Sequence, residues 1–466
     1  MKDREYLKLI GKIFATGVMS FSGVVSETAM NVTFPTLMQQ FGIGTATVQW
    51  VTTGYLLVLS LIITLSSYLK RNFTPRSLFL MAMGCFIIGT TLCFLSPTFS
   101  VLLTGRMLQG VGTGIALPLM FNIILAEAPH DKLGMFMGIG TLITAMAPAV
   151  GPVLGGFFVD HGGWRYIFLV LLCLLVPSLI LGLWLIRKSH IGARSHFHIA
   201  EYLTIVTGYT SFILATVSAS KAGWLSATVL GLFALAAVCS VVFTRMSKRD
   251  VSPLLRYEVF SYGDFVLGLV SILIIQFATL AVGYVIPNYS QIVNHSGAFL
   301  AGSLLVPGCI VGAVLAIVGG TIYDKLGARR PILTGNSLLL ISLLLFSIFG
   351  QRLTTGMFFG FYIIYTFGQG LCIGNTMTYT LSRLPHDLSA DGNALINSLQ
   401  QLSGAAGTAV AATMVAAAQQ SLLGAFAQGT AQGGQNVFVL LAILLLIALI
   451  AAIRMFSSGK EASLTH

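Results

Sequence analysis

Glu27 is the residue whose chemistry the rest of the chain must accommodate. It stands near the middle of the first long apolar segment, within Ser20-Phe-Ser-Gly-Val-Val-Ser-Glu-Thr-Ala-Met-Asn-Val-Thr-Phe-Pro35. A carboxylate at such a depth costs roughly 2.5–3.5 kcal/mol on insertion scales unless it is paired, wet or protonated. At helical spacing Ser20, Gly23, Glu27, Asn31 and Phe34 fall on one stripe, which reads as a wall of a polar cavity. The same carboxylate could instead serve only to tie two helices together. Arg106 is the one basic residue deep in an apolar segment, and Gln109, Gly110 and Thr113 continue its stripe. At 1.5 Å per residue both charges lie roughly 12–15 Å below the outer end of their helices, so they can share a plane. Arg106 can either pair with Glu27 directly or bond backbone carbonyls and act on the carboxylate through its charge.

The later segments supply neutral polar groups and hinge residues. Pro148 and Pro152 are four apart and remove backbone donors on one face. Gly151 and Gly155 form a small-xxx-small pair that lets a neighbouring helix approach closely. Such a helix bends and seals against a neighbour, or it is simply tightly packed. The second half has no deep acid: Asp264 and Asp324 sit at the cytoplasmic ends of their segments. Asn393, Asn397, Gln400 and Gly404 share a stripe suited to an aqueous path, and Gln276 and Tyr284 are further cavity candidates. Trp50 and Tyr55 either line that cavity or anchor the lipid interface.

Chemistry of other classes is excluded by what is missing. No Gly-x-x-x-x-Gly-Lys-Ser/Thr loop marks an ATP motor, and neither His-Glu-x-x-His nor Gly-x-Ser-x-Gly occurs. An intramembrane enzyme would need a second catalytic group beside Glu27, and only Arg106 is offered. We therefore expect no enzymatic activity, no cofactor and no metal site. His190, His196 and His198 lie in a central basic loop that reads as a solvated linker rather than a metal site or pH sensor. The six cysteines stand singly in apolar segments and are read as buried thiols.

The elements that position these residues are membrane helices. The chain of 466 residues is 56% hydrophobic and only 8% charged, against about 25% charged in soluble domains. Its apolar residues come in long runs, approximately 12–37, 47–69, 77–95, 98–126, 133–158, 165–186, 199–219, 223–244, 264–287, 299–320, 331–350, 356–381, 392–417 and 436–456. With the N-terminus inside, of the 25 Lys and Arg residues only Arg165, Lys221 and Arg352 fall outside and only Arg106 within a span. This bias places both termini in the cytoplasm. It also accounts for the net charge of +11 without nucleic acid. The first segment is read as a retained helix rather than a signal peptide. The polar stretch Gln419 to Gln435 reads as a flexible outer loop.

Four stretches, taken together, resemble the major facilitator superfamily, and within it the fourteen-helix drug:proton antiporter branch. They are Leu103-Thr-Gly-Arg-Met-Leu-Gln-Gly-Val-Gly-Thr-Gly-Ile-Ala-Leu-Pro118; Ala147-Pro-Ala-Val-Gly-Pro-Val-Leu-Gly-Gly156 with Gly163-Trp-Arg-Tyr-Ile-Phe168; Gly320-Thr-Ile-Tyr-Asp-Lys-Leu-Gly-Ala-Arg-Arg330; and Pro287-Asn-Tyr-Ser-Gln291 with Ala301-Gly-Ser-Leu-Leu-Val-Pro307. The second is similar to the antiporter motif, which the resemblance maps onto Pro148, Gly151, Pro152, Gly155 and Gly156. The third is similar to the cytoplasmic gating loop, mapped onto Asp324, Gly327 and Arg329. Two departures stand out. The branch usually has Asp where Glu27 stands, and Arg71 occupies the expected Asp position of the first-half gating loop.

The resemblance implies an all-α polytopic membrane protein of major-facilitator type: two six-helix halves plus two inserted helices. The halves are expected at 1–188 and 251–466, with a linker and the inserted pair at 189–250. It places the helices of Glu27 and Arg106 side by side. It further implies a monomer in a bacterial plasma membrane. This would export lipophilic, mainly cationic or zwitterionic drugs and dyes in exchange for protons by alternating access. Glu27 would take the proton or the substrate's cation, with Arg106 as the coupling arginine. Asn31, Phe34, Gln109, Thr113, Gln276, Tyr284, Asn397 and Gln400 would be cavity candidates. Export of an endogenous lipid or metabolite, with incidental drug transport, is the alternative.

Overall fold

A computed structural model describes residues 2–129, 133–186, 198–249, 256–385, 388–421 and 425–462. His190, His196 and Arg194 lie outside the described residues. Helices account for almost all of the described chain, and no strand occurs among the described residues. The long helices are α1 (Lys2–Phe41), α2 (Trp50–Thr64), α3 (Pro75–Leu95), α4 (Phe99–Glu127), α5 (Leu133–His161), α6 (Arg165–Leu185) and α7 (Ile199–Ala222). They continue with α8 (Ala227–Arg249), α9 (Gly263–Ile292), α10 (Val306–Leu326), α11 (Arg329–Phe349), α12 (Thr355–Ser382), α13 (Ser389–Ser421) and α14 (Phe426–Ala462). Among the described residues thirteen helices are long and apolar enough to cross a membrane, and α5 is a further helix of 29 residues. In lipid a spanning segment must satisfy its own backbone groups, which only a helix does alone, so each apolar run becomes one helix.

Helices α1–α6 pack among themselves, as do α9–α14. The two bundles meet along three seams: α2 against α13, α1 against α9, and α5 against α10 with the short helix Ala298–Ser303 that precedes it. Between the bundles in sequence, α7 and α8 pair with each other, and α7 lies against α13 and α2. Tyr209 of α7 reaches Ser398 of α13 at 3.3 Å. By contrast α8 turns Leu230, Leu235, Val238 and Val241 outward, as a lipid-facing helix does.

Local chemistry explains several helix ends. Thr74 caps α3 by accepting from the Ser77 amide at 3.2 Å, with Pro75 at the first helical position. Gly327 ends α10 at φ 79°, in the left-handed region. The motif after α5 ties outer ends together: Trp164 Nε1 donates to Gln40 at 2.6 Å, and Arg165 donates to the Ser96 carbonyl at 2.6 Å.

Two sequence expectations need correction. Among the described residues of the stretch Gln419 to Gln435, 419–421 belong to α13 and 426–435 to α14 rather than to a loop. Gln419 accepts from Thr45 at 2.8 Å and donates to Thr430 at 2.9 Å, so its polarity serves contacts between helices. The thiols are all free but not all buried: Cys173 is exposed on α6 and Cys85 and Cys309 are half-buried. A thiol is apolar enough to face lipid as readily as core.

Candidate substrate and coupling site

Arg106 is fully buried, and its bonds define the centre of the first bundle. Its Nε donates to the Val51 carbonyl at 3.0 Å, and its Nη1 donates to Ser26 Oγ at 2.6 Å and Gln109 Oε1 at 2.7 Å. The guanidinium carbon lies 4.3 Å from the centroid of the Tyr55 ring. Gln109 passes the network on by donating to Thr90 at 2.8 Å. Tyr55 donates its hydroxyl to the Gly23 carbonyl at 3.0 Å and to Thr113 at 2.9 Å. Residues of α1, α2, α3 and α4 thus fix one cation, and the planar fork of arginine suits such divergent acceptors.

Glu27 is 7% exposed, and no ion pair or hydrogen bond reaches its carboxylate among the described residues. Arg106 is near enough to act on it through charge; its Nε and Nη1 are bonded elsewhere, and its buried Nη2 has no acceptor among the described residues. Of the two arrangements the sequence leaves open, the structure has the second. The carboxyl is enclosed beside a fixed cation and has no bonded partner of its own.

Above Glu27 on α1, polar residues join the two bundles. Pro35 deprives the Asn31 carbonyl of its helical donor, and Asn288 Nδ2 of α9 donates there at 3.3 Å. Gln291 donates to the Val32 carbonyl at 3.0 Å. Asn31 Oδ1 accepts from Thr52 at 3.0 Å, and the Phe34 ring packs on Tyr284 with centroids 5.8 Å apart. Asn31, Phe34 and Tyr284 are buried, so in this state they form a closed lid rather than an open wall. Asn288 and Gln291 belong to the stretch Pro287–Gln291 that carries part of the resemblance, and their bonding to α1 is not visible from that stretch alone. Pro35, four residues after Asn31, was the signal that an outside donor was needed.

The second bundle brings neutral groups together. Gln400 donates to Gln276 at 3.2 Å. Thr279 contacts the Tyr365 hydroxyl and accepts from Gln369, both at 3.1 Å. Asn397 bonds back to Asn393 on its own helix and not across the site. Ser26, Tyr365 and Gln369 escape sequence reading because they are neutral and their partners lie on other helices.

The glycines of α5 are used on two sides. A Cβ on Gly155 would stand 2.6 Å from the Ala29 carbonyl oxygen, and one on Gly151 would strike Thr28, so α5 rests on the helix that carries Glu27. Gly156 faces the other way, against the backbone of Ala298 and Phe299, and Gly302 lies against the Pro152 carbonyl. Pro148 is half-buried on the same helix. Further along, α5 and α10 diverge around an apolar cavity of about 600 Å³, lined among others by Met146, Val150, Phe157, Ile310 and Val314. None of the polar candidates lines it.

At the cytoplasmic ends Asp324, Gly327, Arg329 and Arg71 are exposed. Asp324 and Arg329 have no ion pair among the described residues. Ion pairs there join helices of one bundle: Lys12–Glu127 at 2.6 Å and Arg383–Asp264 at 3.7 Å.

The long-helix fold and a buried charge site inside one of two bundles define a membrane transporter. The sequence profile of the Major Facilitator Superfamily matches residues 16–408, and the chain belongs to that superfamily. It is a multi-pass protein of the bacterial plasma membrane and not an enzyme. It is 34% identical over 451 residues to the lincomycin resistance protein LmrB of Listeria monocytogenes, covering 95% of this chain and 96% of the relative. It is also 25% identical to the multidrug resistance protein Stp of Mycobacterium tuberculosis, covering 87% and 75%. Among solved structures, an inward-facing bacterial homologue of the lysosomal transporter Spinster aligns with a TM-score of 0.68 at 16% identity, covering 97% of each chain. A peptide transporter of the POT family aligns with a TM-score of 0.69 at 15% identity, covering 95% and 94%. These two likenesses concern the fold.

Proposed function

We propose that this transporter exports lipophilic, cationic or zwitterionic drugs and dyes in exchange for protons, by alternating access of one central site. The observation that carries the reading is the enclosed Glu27 carboxyl without a bonded partner, beside an Arg106 whose Nε and Nη1 are committed to other acceptors. A carboxyl tied to a cation would be a structural fastener. One left without a partner can hold a proton or a substrate's positive charge, one at a time. The resistance proteins among the relatives support the drug class. The α5 glycines supply the moving seal, and Asp324 the cytoplasmic gate in a later state of the cycle. The test is drug-induced proton release from purified protein. Wild type releases protons on adding a monovalent cationic dye; Glu27→Gln folds but releases none. Release from Glu27→Gln equal to wild type would make Glu27 a structural tie and end this reading.

A further inference from the structure

The outer end of the α5–α10 seam is held by a carboxylate that the coupling site does not use. Asp160, in the last turn of α5, accepts from the backbone amide of Ala298 through Oδ1 at 3.1 Å and from that of Phe299 through Oδ2 at 2.7 Å. These amides open the short helix Ala298–Ser303 and have no acceptor within it. The geometry is that of an N-cap, except that the capping side chain comes from the opposite bundle. Gly297 itself, at the capping position, has no side chain and makes no side-chain bond. Asp160 is therefore the side chain that satisfies those donors, and it can do so only while the two bundles touch.

The surrounding contacts show that this is the closing point. Gly156, one turn earlier on α5, lies against the Ala298 carbonyl, and Gly302 lies against the Pro152 carbonyl. Two backbones meet there without intervening side chains, so a small rotation of either bundle separates all these groups together. His161 does not compete for Asp160: its ring stacks on Phe157 at 4.7 Å and its Nδ1 contacts the Phe157 carbonyl at 3.0 Å. Arg165 is committed to the Ser96 carbonyl.

We propose that Asp160 is the latch of the outer gate: a positioning residue that favours the outward-closed state by capping Ala298–Ser303 across the seam. The proposal rests on the alternating-access reading but makes a separate claim. Capping predicts an ordering of variants that charge alone does not. Asn keeps one acceptor oxygen but sets an NH2 donor against the other amide, whereas Ala and Leu keep none. Asp160→Asn therefore holds the gate closed in part, between wild type and Asp160→Ala. Asp160→Ala and Asp160→Leu raise the outward-open to outward-closed ratio by roughly three- to tenfold, the effect of losing hydrogen bonds at a partly exposed site.

The measurement is the spin-label distance between Tyr166 and Leu300, both exposed at the outer rim, in a background without native cysteines. Asp160→Ala should populate the longer distance most, and Asp160→Asn, with one acceptor kept, should fall between it and wild type. A distribution in Asp160→Ala that equals wild type overturns the latch. So does an equal shift in Asp160→Asn, which would make negative charge the cause. Because the readout is a distance, it stands apart from proton release. A latch confirmed here alongside a Glu27→Gln that still releases protons would leave the gate intact and remove the coupling assignment.

Discussion

At the scale of single residues, the site is a contrast between a cation bonded through Nε and Nη1, with Nη2 left over, and an acid with no bonded partner among the described residues. Arg106 bonds the Val51 carbonyl, Ser26 and Gln109 at diverging angles. Lysine cannot reproduce that fork. Arg106→Lys should abolish transport and lower thermal stability, since each buried acceptor left without a donor costs about 1–3 kcal/mol. Parallel efflux and thermal-unfolding measurements check both. Tyr55→Phe removes only the hydroxyl bonds to Gly23 and Thr113, so it should cost about 1 kcal/mol and keep the ring beneath the guanidinium. Glu27→Asp, which restores the acid more usual in this branch, should retain part of the proton release. Glu27 and Arg106 were legible in the sequence because a charge in an apolar run is conspicuous. Ser26, Asn288 and Gln369 were not, because a neutral polar residue reveals its role only when its partner on another helix is known.

At the scale of elements, the sequence says that a helix with Gly151 and Gly155 will be approached closely, but not by what. The structure answers with two neighbours: α1 on the Gly151 and Gly155 side, and Ala298–Ser303 on the Gly156 side. A side chain on Gly155 meets backbone, which cannot rotate away. Gly155→Leu should therefore force α1 and α5 apart, costing about 1–3 kcal/mol by overpacking, and eliminate efflux at equal membrane expression. The gating loop behaves differently. Asp324 is exposed and bonds nothing among the described residues, so Asp324→Asn should leave thermal stability unchanged. On the proposed gating role it should still cripple transport, through a partner met in another state. Arg71→Ala should do much less, and equal losses in the two variants would contradict this asymmetry.

At the scale of the whole molecule, the proposed exchange at one deep acid has a defined electrical character. A proton traded for a monovalent cation moves no net charge, so a pH gradient should drive it without the membrane potential, otherwise worth about 2.3 kcal/mol per charge per 100 mV. Efflux from vesicles with the potential clamped should show monovalent cations and zwitterions preferred over dications. Impermeant labelling of single cysteines should find position 352 outside and position 249 inside, the orientation that the basic residues require. The overall architecture was the most legible feature, since lipid leaves an apolar run little choice but helix. The closing seams were not, because they depend on which helices touch. The length of α1 carries one more consequence. It has 40 residues, which at 1.5 Å each is about 60 Å of rigid rod, twice the hydrocarbon thickness. It touches α5 not at one point but along its length, from the Tyr6–Phe136 ring stack at 6.2 Å, through Gly17 against Ile143, to Ala29 against Gly155. The two helices therefore cannot pivot about a single contact, and a tilt of α1 carries α5 with it. A displacement beside Glu27 would in this way arrive at the cytoplasmic face as a movement of the pair.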